Sequence, residues 1–264
     1  MDAGLLRDAL TAALGVLTGA MSGAFGVGGA VISTPGIRAL GVPAIVAVGS
    51  TLPSILPSAV SGSLRYHREG LVDWSAVRLT LPVGLVASVF GALASEVIPG
   101  DGHLLMVLTA ALLAFTAYRM WASARAARGP TTVEEGAHPE RRSALHFASV
   151  GALAGALSGM LGIGGGVVMV PGFHSLAGLS IKSSIASSLV CVAGFALPGT
   201  ITHAALGNID WRVAAALTLT VIPGARLGAH LTVKSDDRRL RYAVALFLGA
   251  VSLVYAVGEI IAWA

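Results

Sequence analysis

Apolar segments of about twenty residues recur along the whole chain, and they restrict its fold more than any other feature. The clearer segments cover residues 5–25, 74–97, 104–121, 144–161, 211–233 and 242–262. A helix needs about 20 apolar residues to cross a hydrocarbon core about 30 Å thick. Charged residues make up 11% of the chain, whereas soluble domains contain about 25%. The sequence therefore predicts an all-α polytopic membrane protein that is surrounded by a lipid bilayer.

The remaining segments predict how the chain is divided. Two apolar stretches, 30–66 and 167–203, are too long for one crossing and are interrupted by Pro and Gly. The one extended hydrophilic segment lies between the two halves of the chain. We expect a first transmembrane repeat over residues 1–122, a polar cytoplasmic linker over 123–143 and a second transmembrane repeat over 144–264.

The two halves share a long motif. The stretch TGAMSGAFGVGGAVISTPG begins at Thr18 and AGALSGMLGIGGGVVMVPG begins at Ala154, so that their glycines and proline match at a constant offset of 136 residues. After a slip of one residue the match resumes, and Asp73-Trp74 falls on Asp210-Trp211. A fixed period of this kind predicts an internal duplication.

The duplication leaves two arrangements open. If each interrupted stretch crosses once, the halves lie parallel and the basic segment 234–241 faces outward. If each makes an extra or re-entrant pass, most Arg and Lys residues fall on one side, with Arg7 and Arg212 opposite. Because cytoplasmic loops are rich in Lys and Arg, the charges favour two inverted repeats with broken or re-entrant helices at the Gly-rich motifs. The C-terminus is then expected in the periplasm.

Glycine clusters directly before the two interrupted apolar stretches are the first candidate site. Inverted repeats with matching Gly- or Pro-interrupted segments indicate the binding site of a secondary transporter. Broken helices expose backbone N–H groups and the positive end of the helix dipole, so a small anionic substrate is expected. The glycines spaced by four before these clusters are expected to pack helices closely. The candidate glycines are Gly26, Gly28, Gly29, Gly162, Gly164, Gly165 and Gly166.

Side chains near the clusters give further candidates. Ser50, Thr51, Ser187 and Ser188 occupy matching positions and offer hydroxyl donors, although membrane helices also use Ser for packing. Lys182 is a cationic partner for the substrate or an interfacial anchor. Arg226 lies within an apolar segment, where an arginine is a candidate for function, but its side chain could also reach the near surface.

Other residues have plainer interpretations. Asp73 and Asp210 are expected to cap the helices that follow them. Cys191 is expected to be a small packed residue, because one cysteine forms no internal disulfide and has no metal-site partners. His67 and His203 are read as interfacial, with proton coupling as the alternative.

Several functions are not expected from this sequence. Neither His-Glu-x-x-His nor Gly-x-Ser-x-Gly nor a phosphate-binding loop occurs, so we expect no enzyme, no cofactor and no nucleotide-driven transport. The net charge of +4 is assigned to topology and lipid headgroups and not to nucleic acid. A membrane-embedded scaffold or assembly subunit stays the alternative to a carrier, and a homo-oligomer is left open.

The paired motifs also carry a resemblance. GVGGAVISTP and GIGGGVVMVP, each followed by a Ser-rich stretch (VGSTL, IASSL) and a Gly-x-x-Asp-Trp turn, resemble the TauE/SafE sulfite exporter family, also called sulfonate uptake permeases. The resemblance implies a multi-pass carrier in the bacterial inner membrane that moves sulfite, sulfonate or sulfoacetate by alternating access. Ala30 stands where the second half has Gly166, and Ile45 where it has Lys182, so the halves are expected to contribute unequally.

Overall fold

The computed structural model describes residues 3–95, 103–126, 144–162 and 164–263, and within these ranges the chain forms ten α-helices and no strand. Most of the predicted linker, residues 127–143, lies outside the described residues, whereas its first four residues belong to a helix. The helices of the first half are α1 Ala3–Phe25, α2 Ala30–Ala39, α3 Ala44–Arg68, α4 Trp74–Ser95 and α5 His103–Ala126. Those of the second half are α6 Ala144–Leu161, α7 Gly166–Ser175, α8 Ile181–Ala205, α9 Trp211–Lys234 and α10 Asp237–Trp263.

Each interrupted stretch forms one short helix and one long helix. The short helices α2 and α7 have ten residues each, and the long helices α3 and α8 have 25 each. Eight of the described helices are long and apolar enough to cross a membrane. Ten residues extend for only about 15 Å, so α2 and α7 are too short for a crossing of about 30 Å.

Aspartates begin two of the spanning helices, as the sequence predicts. Asp73 Oδ1 accepts hydrogen bonds from the N–H groups of Ser75 and Ala76, both at 3.0 Å. Asp210 Oδ1 accepts the equivalent bonds at the start of α9, from Arg212 at 3.0 Å and from the next residue at 3.3 Å. These bonds satisfy N–H groups that have no partner within the helix.

Helices from different halves pack against each other through small residues. In both halves the first helix packs on the fourth helix of the other half, α1 on α9 and α6 on α4. A Cβ atom placed on Gly19 would collide with the Val221 carbonyl oxygen, and one on Gly155 would collide with that of Gly84. Such contact needs glycine, because any side chain would separate the backbones. The predicted packing role of these glycines therefore agrees with their surroundings.

Contacts along these pairs also give the relative directions of the helices. Gly19 faces Val221 and Gly23 faces Ala225, so α1 and α9 run in the same direction. The central helices α3 and α8 run in opposite directions. The Leu52 side chain, near the start of α3, approaches Gly199 near the end of α8.

Candidate functional site

The chain reverses direction at both glycine clusters. A Cβ atom on Gly29 would lie 2.5 Å from Thr18 Cγ2, and one on Gly36 would lie 2.6 Å from Leu14 Cδ2. The helix α2 therefore lies back along α1, and corresponding contacts place α7 back along α6. The turns use positive φ angles that only glycine adopts readily. These angles are 67° at Gly26 and 85° at Gly28 in the first turn, and 66°, 84° and 69° at Gly162, Gly164 and Gly165 in the second.

We call residues 26–29 the first break and the described residues 162, 164 and 165 the second break, and the two breaks touch. A Cβ atom placed on Gly166, directly after the second break, would collide with the Gly26 carbonyl oxygen. A Cβ atom on Gly164 would lie 3.4 Å from Gly28 Cα. The predicted site glycines of both halves are buried here, in one place.

The breaks meet halfway along the central helices. A Cβ atom on Gly164 would lie 3.2 Å from Val192 Cγ1 and 3.7 Å from Ile55 Cδ1. Ile55 is the twelfth of the 25 residues of α3, and Val192 is the twelfth of the 25 residues of α8. Two helix N-termini, those of α2 and α7, therefore start near the middle of the molecule. Each carries the equivalent of about half a positive charge.

Buried hydroxyl groups lie beside the breaks. Ser22 and Ser158, which match at the offset of 136 residues, are 1% and 0% exposed. Ser22 Cβ lies 3.8 Å from a Cβ placed on Gly29, close to the start of α2. Within the described ranges neither hydroxyl has a hydrogen-bond partner, and the same holds for buried Thr18 and Ser58. The two serines are not among the predicted site residues, although their match inside TGAMSGAFG and AGALSGMLG is a usable signal in the sequence.

Ser50 and Ser187 bond to the residues directly before α9 and α4, and they do not meet at the breaks. Ser50 Oγ accepts a hydrogen bond from the backbone N–H of Asp210 at 2.8 Å, and Ser187 Oγ accepts one from that of Asp73 at 2.8 Å. Both serines are the seventh residue of their helices. Because α3 and α8 run in opposite directions, the two serines lie on opposite sides of the breaks.

Thr51 and Ser188 contact the short helix and the first break. Thr51 Oγ1 lies 3.2 Å from Thr34 Oγ1 of α2. Ser188 Oγ donates to the Gly26 carbonyl oxygen at 3.0 Å, and the Ile185 carbonyl oxygen lies within 2.9 Å of the same hydroxyl. Ser188 is thus the predicted serine whose hydroxyl bonds directly to a break.

The two predicted cationic residues lie elsewhere. Lys182 Nζ donates to the Val233 carbonyl oxygen at 3.1 Å and lies 3.6 Å from Asp237 Oδ1, at the end of α9. Arg226 is exposed and lines a cavity between α3 and α9. Neither side chain is brought to the breaks, so their roles as substrate ligands stay predictions.

The eight candidate spans among the described helices define a multi-pass membrane protein. Residues 11–255 match the sequence family described as "Sulfite exporter TauE/SafE", and the chain belongs to this family. The resemblance carried by the paired glycine motifs is thereby confirmed.

Curated relatives have names of the same class. A "Probable membrane transporter protein" of Xylella fastidiosa is 28% identical over 229 residues, which cover 85% of this chain and 85% of the relative. One of Haemophilus influenzae is 29% identical over 266 residues, covering 91% and 94%. The "Probable membrane transporter protein YunE" of Bacillus subtilis is 25% identical over 245 residues, covering 86% and 89%. No solved structure matches the chain significantly. The family is one of membrane transporters.

Proposed function

We propose that this protein is a secondary carrier of small sulfur-containing anions of the sulfite, sulfonate or sulfoacetate type, working by alternating access in a bacterial inner membrane. The observation that carries the proposal is the meeting of two helix N-termini, from different halves, halfway along the central helices. Backbone N–H groups and aligned dipoles at such ends favour an anion without a charged side chain. The backbone N–H and C=O groups of a broken helix inside the membrane also need hydrogen-bond partners, which lipid does not provide.

An inverted arrangement of the two halves is part of this proposal. The helices α3 and α8 occupy the same place in their halves and run in opposite directions, with Leu52 against Gly199 and Leu189 against Gly62. A two-fold axis in the membrane plane relates such helices, and an axis along the membrane normal does not. The short helices α2 and α7 then act as re-entrant helices that enter from opposite sides.

The buried hydroxyls beside the breaks complete the proposed site. Ser22 and Ser158 lack partners within the described structure, and an oxyanion held beside the touching breaks would accept hydrogen bonds from both. Hydrogen bonds to charged groups contribute about 1.5–3 kcal/mol each, more than those between neutral groups. The substrate gradient or the membrane potential would drive the movement of one half against the other around this site.

Uptake into reconstituted vesicles tests the carrier directly. The full-length protein is assayed with sulfite, thiosulfate, sulfate, sulfoacetate and taurine. Gly164→Leu should abolish uptake while the protein still inserts, because the new side chain meets the opposite break and position 164 has a φ of 84°. Gly258→Leu is the control, because no atom lies within 4 Å of a Cβ at that exposed position. Full activity of Gly164→Leu would reject the backbone site. Failure of the wild-type protein to bind or move any of the five compounds would favour the alternative function, a membrane-embedded scaffold or assembly subunit.

A further inference from the structure

A polar cavity lies away from the breaks, between the last turns of α3 and the second half of α9. Its volume is about 540 Å³. Four of its seven lining residues are arginine or histidine, contributed by both helices. The lining consists of Ser61, Leu64, Arg65, Arg68, Arg226, Leu227 and His230.

Helix geometry brings these basic groups together. Arg65 and Arg68 are three residues apart on α3, and Arg226 and His230 are four apart on α9, so each pair shares one face of its helix. Ser61 Oγ donates to the Ile222 carbonyl oxygen at 3.2 Å, one turn before Arg226, and this bond joins the helices beside the cavity. The basic groups are therefore held by packed helices and not by a loop.

The cavity has an excess of positive charge. Arg65 forms an ion pair with Glu69 at 2.6 Å, and across the described ranges no other carboxylate is paired with a cavity arginine. Three guanidinium groups against one carboxylate leave two positive charges, before His230 is counted. Arg65 Nε is also buried, with no hydrogen-bond partner among the described residues. Like charges that are held close together repel each other, so this arrangement favours a bound anion.

We propose that this cavity binds an oxyanion at a site separate from the breaks. The planar guanidinium group donates two parallel hydrogen bonds to oxygens of a phosphate or sulfonate, so arginine suits this chemistry better than lysine. Two sources supply such an oxyanion: the phosphodiester of an anionic lipid and a free inorganic anion. Leu64 and Leu227 on the rim are 49% and 55% exposed, and apolar rim residues beside basic groups suit a lipid headgroup with its chains outside. This inference rests on the cavity alone and does not require the proposed carrier function.

The test uses the purified full-length protein in a neutral detergent. One arm measures retention of phosphatidylglycerol against phosphatidylcholine by native mass spectrometry. The other arm measures the thermal unfolding midpoint in sodium sulfate against sodium chloride at equal ionic strength. Arg68→Gln, Arg226→Gln and the double variant are compared with Arg239→Gln, an exposed arginine at the start of α10 outside the cavity.

We expect the wild type and Arg239→Gln to bind an oxyanion in at least one arm, and the double variant to bind it at least about tenfold more weakly, a difference of about 1.4 kcal/mol. A preference for phosphatidylglycerol that the double variant loses identifies a lipid site, and protection by sulfate that the double variant loses identifies a free-anion site, because sulfate also stabilises proteins without binding at a site. If the double variant does not fold, the same comparison with the control is made with Arg68→Gln and with Arg226→Gln. The proposal is overturned if no arm shows binding, or if the cavity variants bind as the control does.

Discussion

At the scale of single residues, buried hydroxyl groups divide into two kinds. Ser50 and Ser187 accept backbone N–H groups from the other half, so their bonding capacity is used inside the protein. Ser22 and Ser158 lie beside the breaks with no partner among the described residues. This difference in bonding, which no sequence position reveals, separates anchoring serines from candidate ligands.

Replacing the candidate ligand hydroxyls should weaken substrate binding without a loss of stability. In the Ser22→Ala/Ser158→Ala variant we expect the KM for the transported anion to rise about tenfold or more, because two hydrogen bonds to a charged group are lost. The thermal unfolding midpoint without substrate should stay the same or rise. Ser88→Ala is the matched control, since this buried hydroxyl donates to the Phe195 carbonyl oxygen at 3.2 Å. An unchanged KM in the double variant contradicts the proposed ligand role.

Replacing the anchoring hydroxyls should have the opposite signature. Ser50→Ala or Ser187→Ala leaves a backbone N–H at a helix start without its acceptor, which costs about 1–3 kcal/mol where the group is buried. We expect a lower thermal unfolding midpoint and an unchanged KM. Ser63→Ala should leave both quantities unchanged, because this half-buried serine lies on the same helix as Ser50 and its hydroxyl donates only to the Val60 carbonyl oxygen of that helix. A raised KM with normal stability would instead support a role for these serines in binding the substrate.

At the scale of helices, the closest packing lies within the two helix pairs that join the halves, α1 with α9 and α4 with α6. A Cβ atom on Gly155 of α6 would collide with the Gly84 carbonyl oxygen of α4. We expect Gly155→Ala to lower the free energy of unfolding by about 1–3 kcal/mol, because the two backbones must move apart. Unfolding in denaturant, followed by circular dichroism, measures the change.

Gly249→Ala is the control for this prediction. It lies within α10, and the nearest atom to a Cβ there is Ala117 Cβ at 3.8 Å, an ordinary contact. Alanine favours a helix over glycine by about 0.5–1 kcal/mol, so this variant should be neutral or more stable. Equal stability of the two variants would show that the α4–α6 interface tolerates a methyl group.

The sequence predicts the long helices well and the short ones poorly, for a physical reason. Residues 74–97 and 211–233 are single runs of apolar residues, and length alone indicates a crossing. Glycines and prolines in the interrupted stretches indicate a break, but the path after a break depends on contacts with residues far away in sequence. Gly166 against the Gly26 carbonyl oxygen is such a contact. The same limit applies to Ser50, because the N–H group that its hydroxyl accepts belongs to Asp210, 160 residues away in sequence.

At the scale of the whole molecule, the proposed inversion places residues that match between the halves on opposite sides of the membrane. Glu69 follows α3 and Leu206 follows α8, and both residues are exposed. We expect a membrane-impermeant thiol reagent to label Glu69→Cys only from the cytoplasm and Leu206→Cys only from the periplasm. The one natural cysteine, Cys191, is buried, so it should contribute little background.

A tag on the C-terminus gives an independent check of this topology, because the inverted arrangement places it in the periplasm. Parallel halves would place Glu69→Cys and Leu206→Cys on the same face. That result would reject the inversion and the shared central site with it.

The contact between the two breaks also bears on how such a protein arose. Each half supplies one of the two helix starts, so under the proposed function a half-length ancestor would have carried only half of the binding site. In the proposed arrangement, that ancestor had to insert in both orientations and pair with an upside-down copy of itself. Fusion of two gene copies would then have fixed one orientation for each half and freed them to diverge, as the Ile45 and Lys182 difference illustrates.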